Sequence, residues 1–161
     1  MRVGLGFDAH AFDPARPLIL GGVTIPEGPG LIGHSDADVL SHVVADALLG
    51  AARLGDLGTR FPATEEWKGA DSIAILRECA AALTSAGWSV SNVDATVIAE
   101  APRLSVYKDQ MTSNLAAALG IATDAVSVKA TTTDGLGFTG RKEGIAALAV
   151  ALIEPTVDRA S

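Results

Sequence analysis

The chain has a single cysteine, Cys79. No internal disulfide is possible, and a zinc–thiolate cluster is not expected. Aromatic side chains are scarce, 4% of 161 residues against 48% hydrophobic, so the core must be built from Ala, Val, Leu and Ile. Basic residues are the minority, 12 against 19 acidic, for a formal charge of −7. No basic stripe repeats along the sequence, which argues against a nucleic-acid partner. A phosphorylated ligand stays open, because metal ions can supply positive charge locally. Long apolar runs are absent too: the longest, Ile145–Ile153, is too short to span a bilayer. Asp8 and His10 interrupt any apolar run after Met1 and Arg2, so no secretory signal is expected. The expectation is a cytoplasmic protein without a membrane partner. High apolar content excludes disorder, the length fits one domain over residues 1–161, and the low charge hints at an oligomer.

The chain then reads as alternating elements. Arg2–Phe12 is expected to be a strand. Leu18–Leu20 and Val23–Ile25 flank Gly21-Gly22, a two-residue hairpin signal. Ser35 with Asp38 matches a capping box, so a helix is predicted from Ser35 through Leu48, ending near Gly50–Gly55. A long loop, 56–70, precedes a helix over Ser72–Ser85 closed by Gly87. Cys79 lies on that helix as a small buried thiol. Trp88–Ala99 and Val126–Thr132 read as strands, and Ser105–Leu119 as a helix ending at Gly120. Gly144–Glu154 fits a helix by alanine propensity or a buried strand by its continuous apolarity. The fold class is α/β (α+β), a sheet with helices packed on it.

All three histidines lie within the first 42 residues. Period 2 places Asp8 and His10 on one face of the first strand. With His42 from the first helix they form a two-imidazole, one-carboxylate set, the kind that holds catalytic zinc with one position open. Asp46 follows His42 by one helical turn and is expected to accept the imidazole's other N–H. Each residue also has an ordinary reading: Asp8–His10 as a polar pair at a strand end, His42 as a satisfied helix histidine.

Two segments suit phosphate. Gly33-His34-Ser35 precedes the predicted helix N-terminus, where free N–H groups attract anions. Thr131-Thr132-Thr133-Asp134-Gly135 offers three hydroxyls, and Asp134 could hold Mg²⁺ bridging two phosphates. Arg141 is a natural anion partner. Asp56-Leu57-Gly58 with Phe61 could hold polyol hydroxyls.

Taken together, Gly6-Phe7-Asp8-Ala9-His10, Gly33-His34-Ser35-Asp36-Ala37-Asp38, His42, Asp46-Ala47-Leu48-Leu49-Gly50, Gly55-Asp56-Leu57-Gly58, Lys68-Gly69-Ala70-Asp71-Ser72, Ala101-Pro102, Lys129-Ala130-Thr131-Thr132-Thr133 and Gly137-Phe138-Thr139-Gly140-Arg141-Lys142-Glu143-Gly144 resemble the 2-C-methyl-D-erythritol 2,4-cyclodiphosphate synthases over about residues 1–154. Because the chain starts at the synthase motif, the stand-alone form is expected rather than the fusion with a cytidylyltransferase. The resemblance implies zinc, one ion per subunit, on Asp8, His10 and His42. It implies Mg²⁺ or Mn²⁺ near Asp134, although Asp stands where the family often has Glu.

Substrate contacts implied by the resemblance fall first on Asp8, Ala9, His10, His34 and Ser35. Asp56, Leu57, Gly58 and Phe61 would face the methylerythritol hydroxyls. The cytidine pocket would comprise Ala99, Glu100, Ala101, Pro102, Arg103, Leu104 and Ser105, with Thr131, Thr132, Thr133 and Asp134 toward the phosphates. Phe138 and Arg141 would lie near a phosphate-binding cavity. His34 and Thr132 would donate to oxygens gaining charge. Ala37 stands for a common Gly, which a helix tolerates, and the 61–65 loop is a residue short, with Ala63 for an acidic residue.

The implied fold has a mixed sheet with helices on one face, three copies around a threefold axis, Ile145–Ile153 as a strand and active sites between subunits. The implied reaction is intramolecular. The 2-phosphate of 4-diphosphocytidyl-2-C-methylerythritol 2-phosphate attacks its own β-phosphorus and CMP leaves. Two other classes share these residues, a zinc phosphohydrolase and a non-catalytic trimer that binds isoprenoid diphosphates or cytidine nucleotides.

Overall fold

The computed structural model describes residues 1–156; the last five residues of the expected single unit, 157–161, lie outside the described residues. The main sheet has five strands in the order β4-β1-β7-β5-β6: β1 is Arg2–Asp13, β4 Gly30–Leu31, β5 Trp88–Ile98, β6 Val126–Thr131 and β7 Gly144–Pro155. All pairs are antiparallel except β5 with β6, so the sheet is mixed. A separate hairpin joins β2 (Leu18–Leu20) to β3 (Val23–Ile25) through Gly21 and Gly22, both at positive φ. The ambiguous last segment is the central strand β7, hydrogen-bonded to β1 on one side and β5 on the other. Pairing on both edges and burial of Ile145, Ala147, Ala149, Ala151 and Ile153 under the helices override alanine's helix preference, while Leu148, Val150 and Leu152 alternate onto the opposite face.

Three long helices, α1 (Val39–Ala52), α3 (Ser72–Ser85) and α4 (Lys108–Leu119), cover one face. The 56–70 segment, expected as a plain loop, contains the short helix α2 (Leu57–Arg60) and a 3₁₀ turn at Glu65–Trp67; α5 is Gly137–Gly140. α4 starts three residues later than predicted, and Gly120 ends it at φ 68°. None of the helices among the described residues is long and apolar enough to cross a membrane. The other face of β1 stays uncovered. Val3, Leu5 and Phe7 are 66%, 65% and 59% exposed, and their cross-strand partners are Leu152, Val150 and Leu148.

The capping box does not start α1 as expected. Asp38 is the N-cap, accepting from Ser41 N–H, and Ser35 lies outside the helix. Asp38 is completely buried. It also accepts the Ser41 hydroxyl at 2.7 Å and the N–H groups of Gly21 and Gly22, both at 2.8 Å. Burial pushes its pKa up against these donors. The carboxylate thus places a negative charge at the helix N-terminus and takes one of its free N–H groups. Ala37 is not helical either: it sits at φ 60°, the left-handed region where glycine is at ease.

α1 lies directly on β1 because β1 has no side chains there. A Cβ on Gly4 would meet the Ala47 carbonyl oxygen at 1.9 Å, and one on Gly6 the Val43 carbonyl oxygen at 2.0 Å. A helix rises about 6 Å in four residues and a strand about 6.6 Å in two, so successive glycines meet successive turns. Gly6→Ala forces the helix off the strand. The expected outcome in urea unfolding is a loss of at least about 3 kcal/mol or no folded protein, beyond the usual overpacking cost.

Candidate active site

One step along β1 from Gly6, on the same face, come Asp8 and then His10, and α1 presents His42 opposite them. Asp8 Oδ2 lies 2.8 Å from His10 Nε2 and 3.1 Å from His42 Nδ1; the two nitrogens are 3.3 Å apart. Among the described residues these three form the one group of His, Cys, Asp and Glu compact enough to hold a metal ion. Bonds of about 2.0–2.1 Å to a tetrahedral ion put neighbouring ligand atoms about 3.3–3.4 Å apart, so the donors fit such an ion after a small outward shift of Asp8.

Hydrogen bonds behind the donors set their roles. His10 Nδ1–H donates to the Ile32 carbonyl, which turns Nε2 toward Asp8. Burial opposes charge on both partners. It is outweighed at Asp8 by hydrogen bonds from His10 and His42, which hold the carboxyl well below its usual range. At His10 the Asp8 bond and charge outweigh it and raise the imidazole pKa. His42 Nε2 faces Ser35 Oγ at 3.1 Å and Ser72 Oγ at 3.0 Å. The expected Asp46 contact is not made, because Asp46 instead accepts the Leu57 N–H at 3.1 Å and fixes the start of α2.

The triad floors a cleft of about 240 Å³ whose walls include His34, Ser35, Leu57, Gly58, Phe61, Ala63, Trp67 and Ile75. Phe61 meets Trp67 edge-on at 4.8 Å. His34 lines the cleft and bonds the Thr64 carbonyl, so it also anchors the 61–67 loop. Asp56, expected to face the ligand, is exposed and caps α2, its Oδ1 accepting Thr59 N–H at 2.7 Å. Sequence reasoning missed Trp67, Ile75 and Ser72. The Lys68–Ser72 motif was visible, but its chemistry depends on tertiary contact with α1.

A second cleft, about 530 Å³, lies among the C-terminal ends of β5 and β6 and the residues leading into α4. Ala99, Glu100, Pro102, Arg103, Leu104, Ser105, Ala130, Thr131 and Thr132 line it, together with Lys108, which sequence reasoning did not single out. Ala101 precedes Pro102 in a cis peptide. Thr133 is not among the lining residues. Its hydroxyl is tied to Leu136 O at 2.6 Å and Thr139 Oγ1 at 3.0 Å, and Glu100 accepts its N–H at 2.9 Å. Asp134 sits at φ 51° and accepts from Thr132 Oγ1 at 3.1 Å, away from the triad. Arg141 pairs with Glu143 at 2.6 Å, and Phe138 lines a third hollow with Ala9, His10 and Glu143. Burial pushes the Cys79 thiol up to about 12, so it is no nucleophile.

A family model described as the YgbB family matches residues 1–154. The chain is 57% identical over 155 residues to the 2-C-methyl-D-erythritol 2,4-cyclodiphosphate synthase of Salinibacter ruber, covering 96% of this chain and 99% of that one. It is 58% identical over 153 residues to the synthase of Bordetella avium, covering 94% of each. Among solved structures it is similar to the bifunctional IspDF of Campylobacter jejuni, with TM-score 0.92 and 43% identity; the match covers 96% of this chain but 42% of that longer one. It is also similar to the CDP complex of Plasmodium falciparum IspF, with TM-score 0.83, 33% identity and 96% of each chain covered.

The opposed shifts at Asp8 and His10 give a pH signature for the metal-free protein. A raised His10 pKa stabilises the fold below the unfolded imidazole value of about 6.5 and is lost as pH rises through the folded value. The lowered Asp8 pKa stabilises above about 3.9 and is lost as pH falls toward the folded value. His10→Gln is therefore expected to lower the apoprotein's melting temperature more at about pH 5.5 than at about pH 8.5. Equal losses by thermal unfolding at both values would show that the ion pair is not formed.

Proposed function

The chain belongs to the YgbB family, and on that premise we propose that a metal triad in one cleft and a cytidine pocket in the other, supplied by neighbouring copies, carry out the family's reaction. The chain converts 4-diphosphocytidyl-2-C-methyl-D-erythritol 2-phosphate to 2-C-methyl-D-erythritol 2,4-cyclodiphosphate and CMP, in isoprenoid precursor biosynthesis. The observation that carries the residue assignment is the convergence of Asp8 Oδ2, His10 Nε2 and His42 Nδ1 on one point of a cleft.

In this reading a 2-phosphate oxygen forms a bond to the β-phosphorus while the bond from that phosphorus to the α-phosphate oxygen breaks, and the electron pair leaves with CMP. Such transfers ask little covalent chemistry of the protein; positioning and charge stabilisation dominate. Asp8, His10 and His42 would hold a zinc ion, which would supply Lewis-acid polarisation of a phosphate oxygen, and Asp134 would help hold a Mg²⁺ or Mn²⁺, which would supply positive charge toward the diphosphate. Leu57, Gly58 and Phe61 hold the methylerythritol end, while His34 and Ser35 present donors beside the triad. Arg103, Lys108, Thr131 and Thr132 line the cytidine cleft with cations and hydroxyls suited to a diphosphate. Holding the 2-phosphate against the β-phosphorus can contribute about 7–11 kcal/mol. No side-chain nucleophile is required.

Two observations support a trimer with shared sites. The two clefts have no lining residue in common, and the sheet face carrying Val3, Leu5, Phe7 and Val150 is apolar and uncovered. An apolar face of this kind marks an interface. Substrate and product are charged and water-soluble, so the cytoplasm is the proposed compartment.

The test is ³¹P NMR of the protein with the cytidyl substrate, zinc and magnesium. Coupled cyclic-diphosphate resonances and CMP are expected; linear products or unchanged substrate overturn the reading. His42→Ala should lose zinc and at least about a hundredfold in turnover, as removal of a metal's contribution implies, while CDP binding by calorimetry persists. Full activity in zinc-free His42→Ala protein would sink the metal assignment. Leu5→Asp puts a charge on the uncovered face. Sedimentation should show it shifted from trimer to monomer, and an unchanged trimer places the interface elsewhere.

A further inference from the structure

We propose that Ser72 and Asp36 are positioning residues for His42: they form a chain of hydrogen bonds behind its Nε2 that holds the ring with Nδ1 aimed at the metal position. The proposal rests on the triad reading above and extends it to two residues outside that set.

The assignment follows from counting hydrogens. Ser72 Oγ has one hydrogen, and Asp36 Oδ1, which can only accept, takes it. The rest of Asp36 is committed in ways that hold it still. Its Oδ2 accepts Ser72 N–H at 3.0 Å, and Oδ1 also accepts Asp38 N–H at 3.1 Å. With its hydrogen spent, Ser72 Oγ turns lone pairs toward His42 Nε2, 3.0 Å away. It can meet that nitrogen only as an acceptor, so Nε2 carries the proton. Nδ1, the nitrogen facing Asp8 and His10, is the one left to bind a metal, in place of the hydrogen bond it makes to Asp8 Oδ2. A ligand imidazole held by an acceptor on its other nitrogen is the recurring arrangement at metal sites. Here a serine hydroxyl stands between the imidazole and the carboxylate.

Ser35 Oγ is the competing acceptor, 3.1 Å from the same nitrogen. It accepts Ala37 N–H at 3.2 Å, and its own hydrogen is not directed by a carboxylate. It can therefore either donate to or accept from an imidazole, and it fixes neither tautomer. Ser35 also lines the cleft, whereas Ser72 is 1% exposed behind it. Ser72 is the first residue of α3, and Asp71, not Ser72, caps that helix by accepting Ile73 N–H at 2.8 Å. Removing the Ser72 hydroxyl thus leaves the cap and the Asp36 bond to Ser72 N–H in place.

The test uses the full chain and zinc alone. Long-range ¹H–¹⁵N correlation of the zinc-loaded protein should show the metal on His42 Nδ1 and a slowly exchanging proton on Nε2. In Ser72→Ala that proton should exchange with water and its signal broaden or be lost. Zinc affinity by chelator competition should fall roughly ten- to hundredfold in Ser72→Ala, and in the same direction in Asp36→Asn, while Ser35→Ala stays within about threefold. Asp36→Asn keeps the proposal open to test should Ser72→Ala not fold. Wild-type zinc affinity and an unchanged Nε2–H signal in Ser72→Ala overturn the proposal, as does a loss confined to Ser35→Ala. Failure of the wild type to bind zinc overturns the triad reading itself.

Discussion

The site depends on how closely a helix can approach a strand. α1 rests its own carbonyls on β1 where Gly4 and Gly6 leave no side chain to hold it off. Ordinary helix–sheet packing interposes two layers of side chains and would keep His42 several ångströms further from Asp8. The glycines remove one of those layers. The run Gly4, Gly6, Asp8, His10 alternates along one face of β1: two positions bring the helix down, and the next two use the proximity. Packing and chemistry are successive steps of one period-2 pattern.

Proximity alone would leave two imidazoles and a carboxylate free to choose protons. Of three other carboxylates in the same region only Asp36, through Ser72, bears on that choice, and their environments separate their roles. Asp38, fully buried, takes four donors and joins α1 to the β2–β3 hairpin. Asp36, half-buried, joins the start of α1 to the start of α3. Asp46 fixes α2 under the cleft. Asp8 is left with side-chain partners that a metal can replace. Acidic residues thus dominate this end of the molecule without making it an indiscriminate cation site, because most of their oxygens are already used by N–H and O–H groups.

What was legible in the sequence was local. The hairpin at Gly21-Gly22, α3 with Gly87, and the pairing of Asp8 with His10 all follow from spacing within a few residues. Readings that required knowing what else arrives in space failed. Ser35 has the side chain of an N-cap, but the hairpin N–H groups recruit Asp38 to that position and the helix starts later. Asp46 has the right helical spacing to reach His42, yet Leu57 N–H claims it. Ala37 reads as a helix former and sits in the left-handed region instead. At Ser35 and Asp46 a side chain with several possible partners was decided by a contact distant in sequence. The final strand was settled by resemblance, since apolarity without period carries no information about helix or strand.

The sheet also fixes where the two clefts stand. Ala9 pairs with Ala146, and Ala146 with Ile98, which pairs in turn with Thr131. These four residues form one row across the sheet, so the triad and the proposed cytidine pocket open at the same end. They are separated by the widths of β7 and β5; with strands about 4.8 Å apart, β1 and β6 are about 14 Å apart. A ligand joining a cytidine to a phosphorylated polyol has groups for both clefts, and its reacting atoms, the 2-phosphate and the β-phosphorus, lie at the polyol end, so only the diphosphate has to reach from the triad to the cytidine pocket. In the proposed arrangement that pocket belongs to a neighbouring copy, and the apolar outer face of β1 and β7 is the surface on which that copy would dock. In this reading the uncovered face completes the active site, which explains why a chain with so few charged residues leaves Val3, Leu5 and Phe7 in the open.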